Sequence, residues 1–224
     1  MSALPIRIFI VDDQHLVRRG LVHMLSDTPG FSVVGEAVSG EQALEKLAML
    51  ESDHLPDVVL MDLRMPGMGG LEATRKLTQR FGRVRVIAVT GCDETPFPQR
   101  FLDCGASGFM TKDAGIDEVI HAIQMVQSGR QYLSQQVAQD IALGVVANPD
   151  PAQSPFHALS DRELQITLMI INGLKTSDMA EKLNVSPKTI NTYRYRLFEK
   201  LKINSNMELA LLASRHGLLE QHAP

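Results

Sequence analysis

Residues 57–61 read Asp-Val-Val-Leu-Met, and an aspartate, Asp62, follows them directly. A short run of apolar and β-branched residues is typical of a β-strand. Four other runs of the same kind predict strands as well: 6–11, 32–36, 84–89 and 107–110. Between these runs, apolar residues recur at three- and four-residue spacing, which predicts helices. Five strands alternating with helices predict an α/β fold with a doubly wound, five-stranded parallel sheet.

Length and composition are those of an ordinary globular protein. The chain has 224 residues, of which 44% are hydrophobic, so it can form one large or two small domains. No apolar run approaches the roughly 18 residues needed to span a bilayer, and the first residues lack the pattern of a signal peptide. We therefore expect a cytoplasmic protein without a membrane partner. Cys92 and Cys104 do not form a CxxC pair, which argues against a zinc site.

The charge is distributed unevenly along the chain. The net charge of −4 by itself argues against nucleic acid as a partner. However, residues 1–159 carry 13 basic against 19 acidic side chains, whereas residues 160–224 carry 9 against 7. Within the second part, residues 182–202 contain six basic side chains and a single acidic one, Glu199. Because of this cationic segment, the net charge of the whole chain does not exclude nucleic acid as a partner.

A proline-rich segment separates the two parts. Three prolines lie within residues 149–155 among small polar neighbours, and this composition favours an extended linker over about 145–158. We predict a first domain at residues 1–130, a connecting helix and linker at 131–158, and a second domain at 159–224.

Polar side chains gather where the predicted strands end. Asp12 and Asp13 follow the first strand, and Asp62 follows the third; Thr90 ends the fourth, and Lys112 comes just after the fifth. The carboxyl ends of parallel strands meet at one edge of the sheet, where doubly wound folds bind their ligands. Three carboxylates brought together repel one another unless a hard divalent cation takes their oxygens as ligands. With an ammonium and a hydroxyl nearby, such a site is suited to hold a phosphoryl group.

Four motifs, in this order, resemble the signatures of the bacterial response-regulator receiver domain, a flavodoxin-like fold. They are Asp12-Asp13, Met61-Asp-Leu-Arg-Met-Pro-Gly67, Ala88-Val-Thr-Gly91 and Gly105-Ala-Ser-Gly-Phe-Met-Thr-Lys112. The resemblance covers residues 6 to about 128. It implies that Asp62 accepts a phosphoryl group from the phosphohistidine of a histidine kinase.

The same resemblance implies a magnesium site. Asp13, Asp62 and the backbone carbonyl of Arg64 would bind Mg2+, and Asp12 would act mostly through water. These are the three carboxylates that the strand ends already bring together, so the resemblance and the strand pattern point to the same cofactor.

The resemblance also implies a conformational switch. Lys112 and Thr90 would bind phosphate oxygens after phosphorylation. Phe109 matches the aromatic residue that turns inward as Thr90 moves, and because it lacks the hydroxyl of a tyrosine we expect it to act by packing alone. Asp113 stands where many receiver domains have proline, which we expect to alter the loop and not the chemistry.

The second part of the chain begins with a signal for a helix start. Ser160 and Glu163 have the spacing of a capping box, in which each side chain binds the backbone N–H of the other. Leu164, Leu168 and Ile171 form the predicted buried side of this helix, and Asn172-Gly173 ends it. A shorter helix, a turn at Asn184-Val185 and a third helix beginning at Pro187 complete a helix-turn-helix pattern.

The third helix presents amide, hydroxyl and basic side chains away from its apolar side. Amide and hydroxyl groups can read base edges in the major groove of DNA, and cations contact phosphates. A solvated amphipathic helix is the alternative for any helix of this composition. The candidate DNA-binding residues are Lys188, Thr189, Asn191, Thr192, Arg194, Tyr195, Arg196 and Lys200.

Three motifs of this part resemble the LuxR-type helix-turn-helix domain, a small all-α domain of four helices. They are Leu159-Ser-Asp-Arg-Glu163, the run 180–193 and Lys200-Leu201, and the resemblance covers residues 159 to about 217. Together with a receiver domain, this is the arrangement of the NarL/FixJ-type response regulators.

Longer runs resemble one group within that family, the GacA/UvrY/LetA global regulators. Examples are the runs 186–201 and 208–213. The resemblance implies a hybrid sensor kinase of the GacS/BarA type as phosphoryl donor and double-stranded DNA as target. It also implies a homodimer when phosphorylated and control of genes for small regulatory RNAs.

Two other functions would use parts of the same pattern. A Mg2+-dependent phosphatase with an aspartyl nucleophile could use the same crevice, but Leu63 and Arg64 do not fit the DxDx[TV] signature of haloacid-dehalogenase phosphatases. A phosphorylation-independent DNA-binding protein would not need the acceptor, the metal carboxylates and the lysine together. We therefore expect a transcription factor switched by phosphorylation, and not an enzyme.

Overall fold

The computed structural model describes residues 4–91, 98–135, 137–139 and 154–216. The chain divides into two compact units, residues 1–141 and 142–224. The predicted linker over about 145–158 lies outside the described residues except for 154–158, so the predicted domain limits stay a prediction. Among the described residues, no helix is both long enough and apolar enough to cross a membrane.

The first unit alternates strands and helices. Its elements are β1 (Ile6–Val11), α1 (His15–Ser26), β2 (Phe31–Ala37), α2 (Gly40–Ala48), β3 (Val58–Asp62), α3 (Gly69–Arg80), β4 (Arg85–Thr90), α4 (Pro98–Asp103), β5 (Gly108–Thr111), α5 (Ile116–Gln127) and β6 (Tyr132–Leu133). All described strand pairs are parallel, in the order β2-β1-β3-β4-β5-β6. The predicted doubly wound parallel sheet is confirmed.

The predicted number of strands, five, is wrong, because the described residues form a sheet of six. β6 has two residues and lies in the segment 131–158, where we predicted a connecting helix and linker. Gly129, with a φ of +84°, turns the chain after α5, and the backbone of Tyr132 then bonds to Ser107. A strand of two residues is too short to produce an apolar run, so the pattern that predicts the other five does not detect it.

The fully apolar run 58–61 is explained by two cores, one on each face of the sheet. Val58 and Leu60 pack in a cluster with residues of α1 and α5, whereas Val59 and Met61 pack with residues of α2 and α3. Side chains of a strand alternate between faces, and here both faces are covered by helices. The strands are thereby fixed, and their polar carboxyl ends are held at one edge.

The second unit is helical in its described residues. A short 3-10 turn (Pro155–Ala158) precedes α6 (Asp161–Ile171), α7 (Thr176–Lys182), α8 (Pro187–Leu201) and α9 (Asn206–Arg215). The predicted capping box is present: Ser160 Oγ accepts from the N–H of Glu163 at 3.3 Å, and Glu163 Oε2 accepts from the N–H of Ser160 at 2.7 Å. The predicted four-helix domain is confirmed.

The turn and the start of α8 follow the predicted signals. Asn184 takes a φ of +50°, a conformation that asparagine tolerates better than most residues. Ser186 caps α8 by accepting from the N–H of Thr189 at 3.1 Å, and Pro187 is the first helical residue. α8 is therefore the third helix of the predicted helix-turn-helix pattern.

The predicted buried side of α6 is partly wrong. Leu164 is buried as expected, but Leu168 and Ile171 are half-buried, whereas Ile166 and Thr167 are fully buried. α6 packs against both α8 and α9, so more than one stripe of the helix is covered. Thr167 can be buried because its hydroxyl donates to the carbonyl of Glu163 at 2.8 Å.

Candidate functional sites

The three predicted metal carboxylates meet at the carboxyl edge of the sheet. Asp12 and Asp13 follow β1, Asp62 ends β3, and these two strands are neighbours. One oxygen from each carboxylate lies within 4.8 Å of the others. Asp12 and Asp62 are only 2% and 1% exposed, whereas Asp13 is open to solvent. We call this group the acidic crevice.

Lys112 completes the acidic crevice from the far side of β4. Its Nζ lies 2.9 Å from Asp62 Oδ2 and 3.0 Å from Asp12 Oδ2. The backbone N–H of Lys112 also donates to the carbonyl of Thr90, which fixes the start of the loop after β5. The structure therefore brings together the three carboxylates and the lysine that follow the predicted strands.

The electrostatics of the acidic crevice show an excess of negative charge. The pKa of Asp62 is raised to about 7, first by burial and next by the charge of Asp12, while the hydrogen bond from Lys112 acts in the opposite direction. Burial and the charge of Asp12 also raise the pKa of Asp13. One ammonium does not balance three carboxylates, and all-oxygen donor sets suit Mg2+. The donor set and its uncompensated charge therefore fit a divalent cation.

The pKa of Lys112 shows how tightly the lysine is held. Burial alone would lower it, but the hydrogen bonds and charges of Asp62 and Asp12 outweigh burial, and the pKa lies above its usual value. Lys112 is therefore charged at neutral pH, with its ammonium held at the Asp62 carboxylate.

The predicted switch residues end or line the neighbouring strands. Thr90 is the last residue of β4, is buried, and its hydroxyl donates to the carbonyl of Gly91 at 3.3 Å. Phe109 lies on β5, is 1% exposed, and packs edge-on against Phe101 of α4 with ring centroids 5.7 Å apart. A movement of Phe109 would therefore change its packing against α4.

A buried arginine behind the acidic crevice is absent from our predictions. Arg18 of α1 donates from a terminal nitrogen to the backbone carbonyl of Asp12 at 2.7 Å and from Nε to Glu36 at 3.2 Å. The signal was present, since Arg18 precedes Leu21 by three residues and Leu25 by seven and so shares their buried face. A prediction that uses only the spacing of apolar residues does not detect a charged residue on a buried face.

In the second unit, α8 carries most of the candidate DNA-binding side chains on its outside. Lys188, Asn191, Thr192, Tyr195 and Arg196 are exposed. Thr189 and Arg194 are half-buried at its edges, and the guanidinium of Arg194 lies 5.4 Å from the ring centroid of Phe198. The surface thus offers amide, hydroxyl and basic groups along one helix.

Lys200 has a partner that the helical pattern did not indicate. Its Nζ lies 2.6 Å from Oε2 of Glu163, a buried carboxylate on α6. Burial opposes ionisation of Glu163, but the hydrogen bonds from Lys200 and Ser160 outweigh it and hold the pKa of Glu163 below its usual range. Lys200 therefore links α8 to the capping box of α6.

Comparison with known proteins places both units in described families. Residues 8–124 match the response regulator receiver domain, and residues 157–213 match the bacterial regulatory proteins of the luxR family. The chain is 53% identical to the response regulator GacA of Pseudomonas viridiflava, over 97% of this chain and 100% of GacA. It is 46% identical to the response regulator UvrY of Escherichia coli K12, over 95% of each protein.

A solved structure supports the same architecture. The crystal structure of the response regulator ChrA, from a haem-sensing two-component system, is similar with a TM-score of 0.53 and 28% identity. The similarity covers 97% of this chain and 100% of ChrA.

Proposed function

The chain belongs to the response regulators that join a receiver domain to a luxR-family regulatory domain, and from this premise we propose how its residues accept phosphate and bind DNA. The observation that carries the proposal is the acidic crevice, where Lys112 contacts both buried carboxylates, Asp12 and Asp62, at hydrogen-bond distance. A buried carboxylate held beside an ammonium at a strand end is placed to act as a phosphoryl acceptor.

Asp62 is the proposed nucleophile. One of its oxygens attacks the phosphorus of a phosphohistidine on a sensor kinase; the O–P bond forms, and the P–N bond breaks with its electron pair remaining on the imidazole. Asp62 must be ionised for this attack, and Lys112 favours the ionised form. After transfer, the ammonium of Lys112 is placed to bind a phosphoryl oxygen.

Asp12, Asp13, Asp62 and the backbone carbonyl of Arg64 would hold Mg2+. When bound, the ion neutralises the charge that collects on the phosphoryl oxygens. The N–H of Arg64 donates to Asp62 Oδ1 at 3.2 Å, which already holds this residue beside the acceptor.

Phosphorylation would be signalled through Thr90 and Phe109. The Thr90 hydroxyl would exchange the Gly91 carbonyl for a phosphoryl oxygen, and Phe109 would repack against Phe101. The result would be release or dimerisation of the DNA-binding domain, with two copies on paired half-sites.

In DNA binding, α8 would enter the major groove. Asn191 and Thr192 would contact base edges, and Lys188 and Arg196 would contact phosphates, with Thr189, Arg194 and Tyr195 at the borders of the interface. Lys200, which is bound to Glu163, would serve mainly to hold α8 in place. This function requires a cytoplasmic location, where the chromosome lies.

Similarity to GacA and UvrY supports a more specific assignment. We assign the phosphoryl donor to a hybrid sensor kinase of the GacS/BarA type, and the targets to genes for small regulatory RNAs. We assign no phosphatase turnover to the acidic crevice; steady hydrolysis of p-nitrophenyl phosphate by the purified protein would contradict this.

The acceptor assignment is tested by Asp62→Asn. With acetyl phosphate and Mg2+, the unchanged protein should gain one phosphoryl group by intact mass, and the variant none. Asp117→Asn, at an exposed position of α5, is the matched control and should be labelled normally. Persistent labelling of Asp62→Asn would refute the assignment.

A further inference from the structure

The loop between β3 and α3 is bent tightly around the acceptor aspartate. Gly67 and Gly69 take φ values of +75° and +72°, a region that side chains disfavour. The N–H of Gly70 donates to the carbonyl of Leu63 at 3.1 Å, and a Cβ added at Gly70 would overlap with the carbonyl oxygen of Asp62. The backbone of Gly70 therefore packs directly against that of Asp62 and Leu63.

The other end of this loop is held by a carboxylate from α2. Oε1 of Glu41 accepts a hydrogen bond from the backbone N–H of Met68 at 2.7 Å. A Cβ added at Gly67 would lie 2.5 Å from the same oxygen, so the carboxylate occupies the space beside Gly67.

α2 itself is held close to the loop, so Glu41 has a fixed base. A Cβ added at Gly40 would lie 2.6 Å from Cβ of Ala73 on α3 and 3.5 Å from Cβ of Met68. The N-terminus of α2 is further fixed by Ser39, whose side chain accepts from the N–H of Gln42 at 3.2 Å. Glu41 therefore connects the capped start of α2 to a loop that needs glycine at two positions.

We propose that Glu41 is a positioning residue for the metal site, acting through its hydrogen bond to Met68. The loop begins at Asp62 and includes Arg64, the proposed source of the carbonyl ligand, and it ends at Met68. Without the Glu41 oxygen that accepts from the N–H of Met68, the far end of the loop can move, and the Arg64 carbonyl loses its fixed position. This inference rests on the proposed function, because it concerns the same magnesium site.

Three substitutions separate the reach of Glu41 from its charge. Glu41→Gln keeps an acceptor oxygen at the same distance, Glu41→Asp keeps the charge but withdraws it by one methylene, and Glu41→Ala removes both. Glu45→Ala, at an exposed position of the same helix, is the matched control. Mg2+ alone is titrated into each full-length protein, and the backbone amides of residues 62–70 are followed by 15N–1H NMR.

We expect Mg2+ affinity to depend on a hydrogen-bond acceptor within reach of the Met68 N–H, and not on the negative charge of Glu41. Glu41→Asp and Glu41→Ala should weaken Mg2+ binding about tenfold, the range found when groups that orient metal ligands are removed. Both should also speed hydrogen exchange at the Met68 amide. Glu41→Gln and Glu45→Ala should stay within about twofold of the unchanged protein on the same measure.

Two results would overturn the inference. One is unchanged Mg2+ affinity and Met68 exchange in Glu41→Asp; the other is Glu41→Gln behaving like Glu41→Asp, which would assign the effect to charge. Glu41→Asp and Glu41→Gln are mild changes, so we expect both variants to fold. Their comparison still tests the inference if Glu41→Ala fails to fold. Labelling of the unchanged protein by acetyl phosphate tests the proposed function separately. If the unchanged protein is labelled and either overturning result is found, only the role of Glu41 is refuted.

Discussion

The acidic crevice and the outer face of α8 use charge in opposite ways. In the crevice, Asp12 and Asp62 are buried side by side with one ammonium between them, so like charges are held together against their repulsion. On α8, basic side chains such as Lys188 and Arg196 are exposed and solvated. Buried charges interact strongly and require fixed partners, whereas exposed charges contribute little each and are screened by salt.

This difference predicts the size of mutational effects. A single change in the crevice should have a large effect that salt hardly alters. A single change on α8 should have a modest effect that depends on salt or on DNA sequence.

The largest effect is expected from Lys112→Ala. The variant loses the ammonium that contacts both buried carboxylates, and loss of one such group from a charge-stabilising site costs about 100-fold or more in rate. The measurement is the initial rate of labelling by acetyl phosphate at saturating Mg2+. Lys76→Ala, which removes an exposed ion pair with Glu72, is the control. A rate close to that of the control would remove Lys112 from the mechanism.

A smaller effect is expected from Asn191→Ala. Loss of one amide contact to a base should lower the ratio of specific to non-specific DNA affinity about tenfold, without changing the salt dependence. The measurement is a pair of binding titrations on the best operator and on unrelated DNA, with Asn206→Ala on α9 as control. An unchanged ratio would argue that Asn191 does not read a base.

Lys188→Ala should change the salt dependence of DNA affinity and not the preference for a particular DNA sequence. Loss of one phosphate contact should reduce the slope of log affinity against log salt by about 0.9. Lys200→Ala should change the slope less, since its ammonium is bound to Glu163. Equal slope changes in the two variants would show that Lys200 leaves Glu163 to contact DNA.

The smallest effect concerns the stability of the second unit. Its Glu163 has a lowered pKa in the folded state, so the stability that it contributes is present above the unfolded pKa and is lost as pH falls through the folded value. Glu163→Gln keeps the capping box but removes the charge, and should cost about 0.5 kcal/mol near neutral pH, since Lys200 is partly exposed.

The measurement is urea unfolding of the full chain followed at amides of α6 by NMR. In the unchanged protein, stability should decline as pH is lowered below the usual glutamate range, and the decline should be shallower in Glu163→Gln. Parallel pH profiles for the two proteins would contradict a charged Glu163–Lys200 pair.

Most of the fold and the acidic crevice could be predicted because their signals are local. The run 58–61 is apolar throughout, since both faces of β3 are covered, and a polar residue directly after such a run has to lie at the edge of the sheet. Asp12, Asp62 and Lys112 were therefore placed by counting to the end of each strand.

The remaining features depend on contacts between elements that are distant in sequence. Arg18 reaches Glu36 over 18 positions, Glu41 reaches Met68 over 27, and Lys200 reaches Glu163 over 37. Helical periodicity shows which face a residue occupies but not which charged partner lies opposite. A charged residue on a buried face, as Arg18 is, was the one local signal available.

The central claim is that a phosphoryl group on Asp62 controls DNA binding by α8. Genome-wide DNA footprinting with the unchanged protein and with Asp62→Asn, each with and without acetyl phosphate and Mg2+, tests it most directly. We predict that acetyl phosphate adds or strengthens protected sites only with the unchanged protein, and that Asn191→Ala loses those sites. Identical footprints with and without acetyl phosphate, or an equal response in Asp62→Asn, would contradict the account.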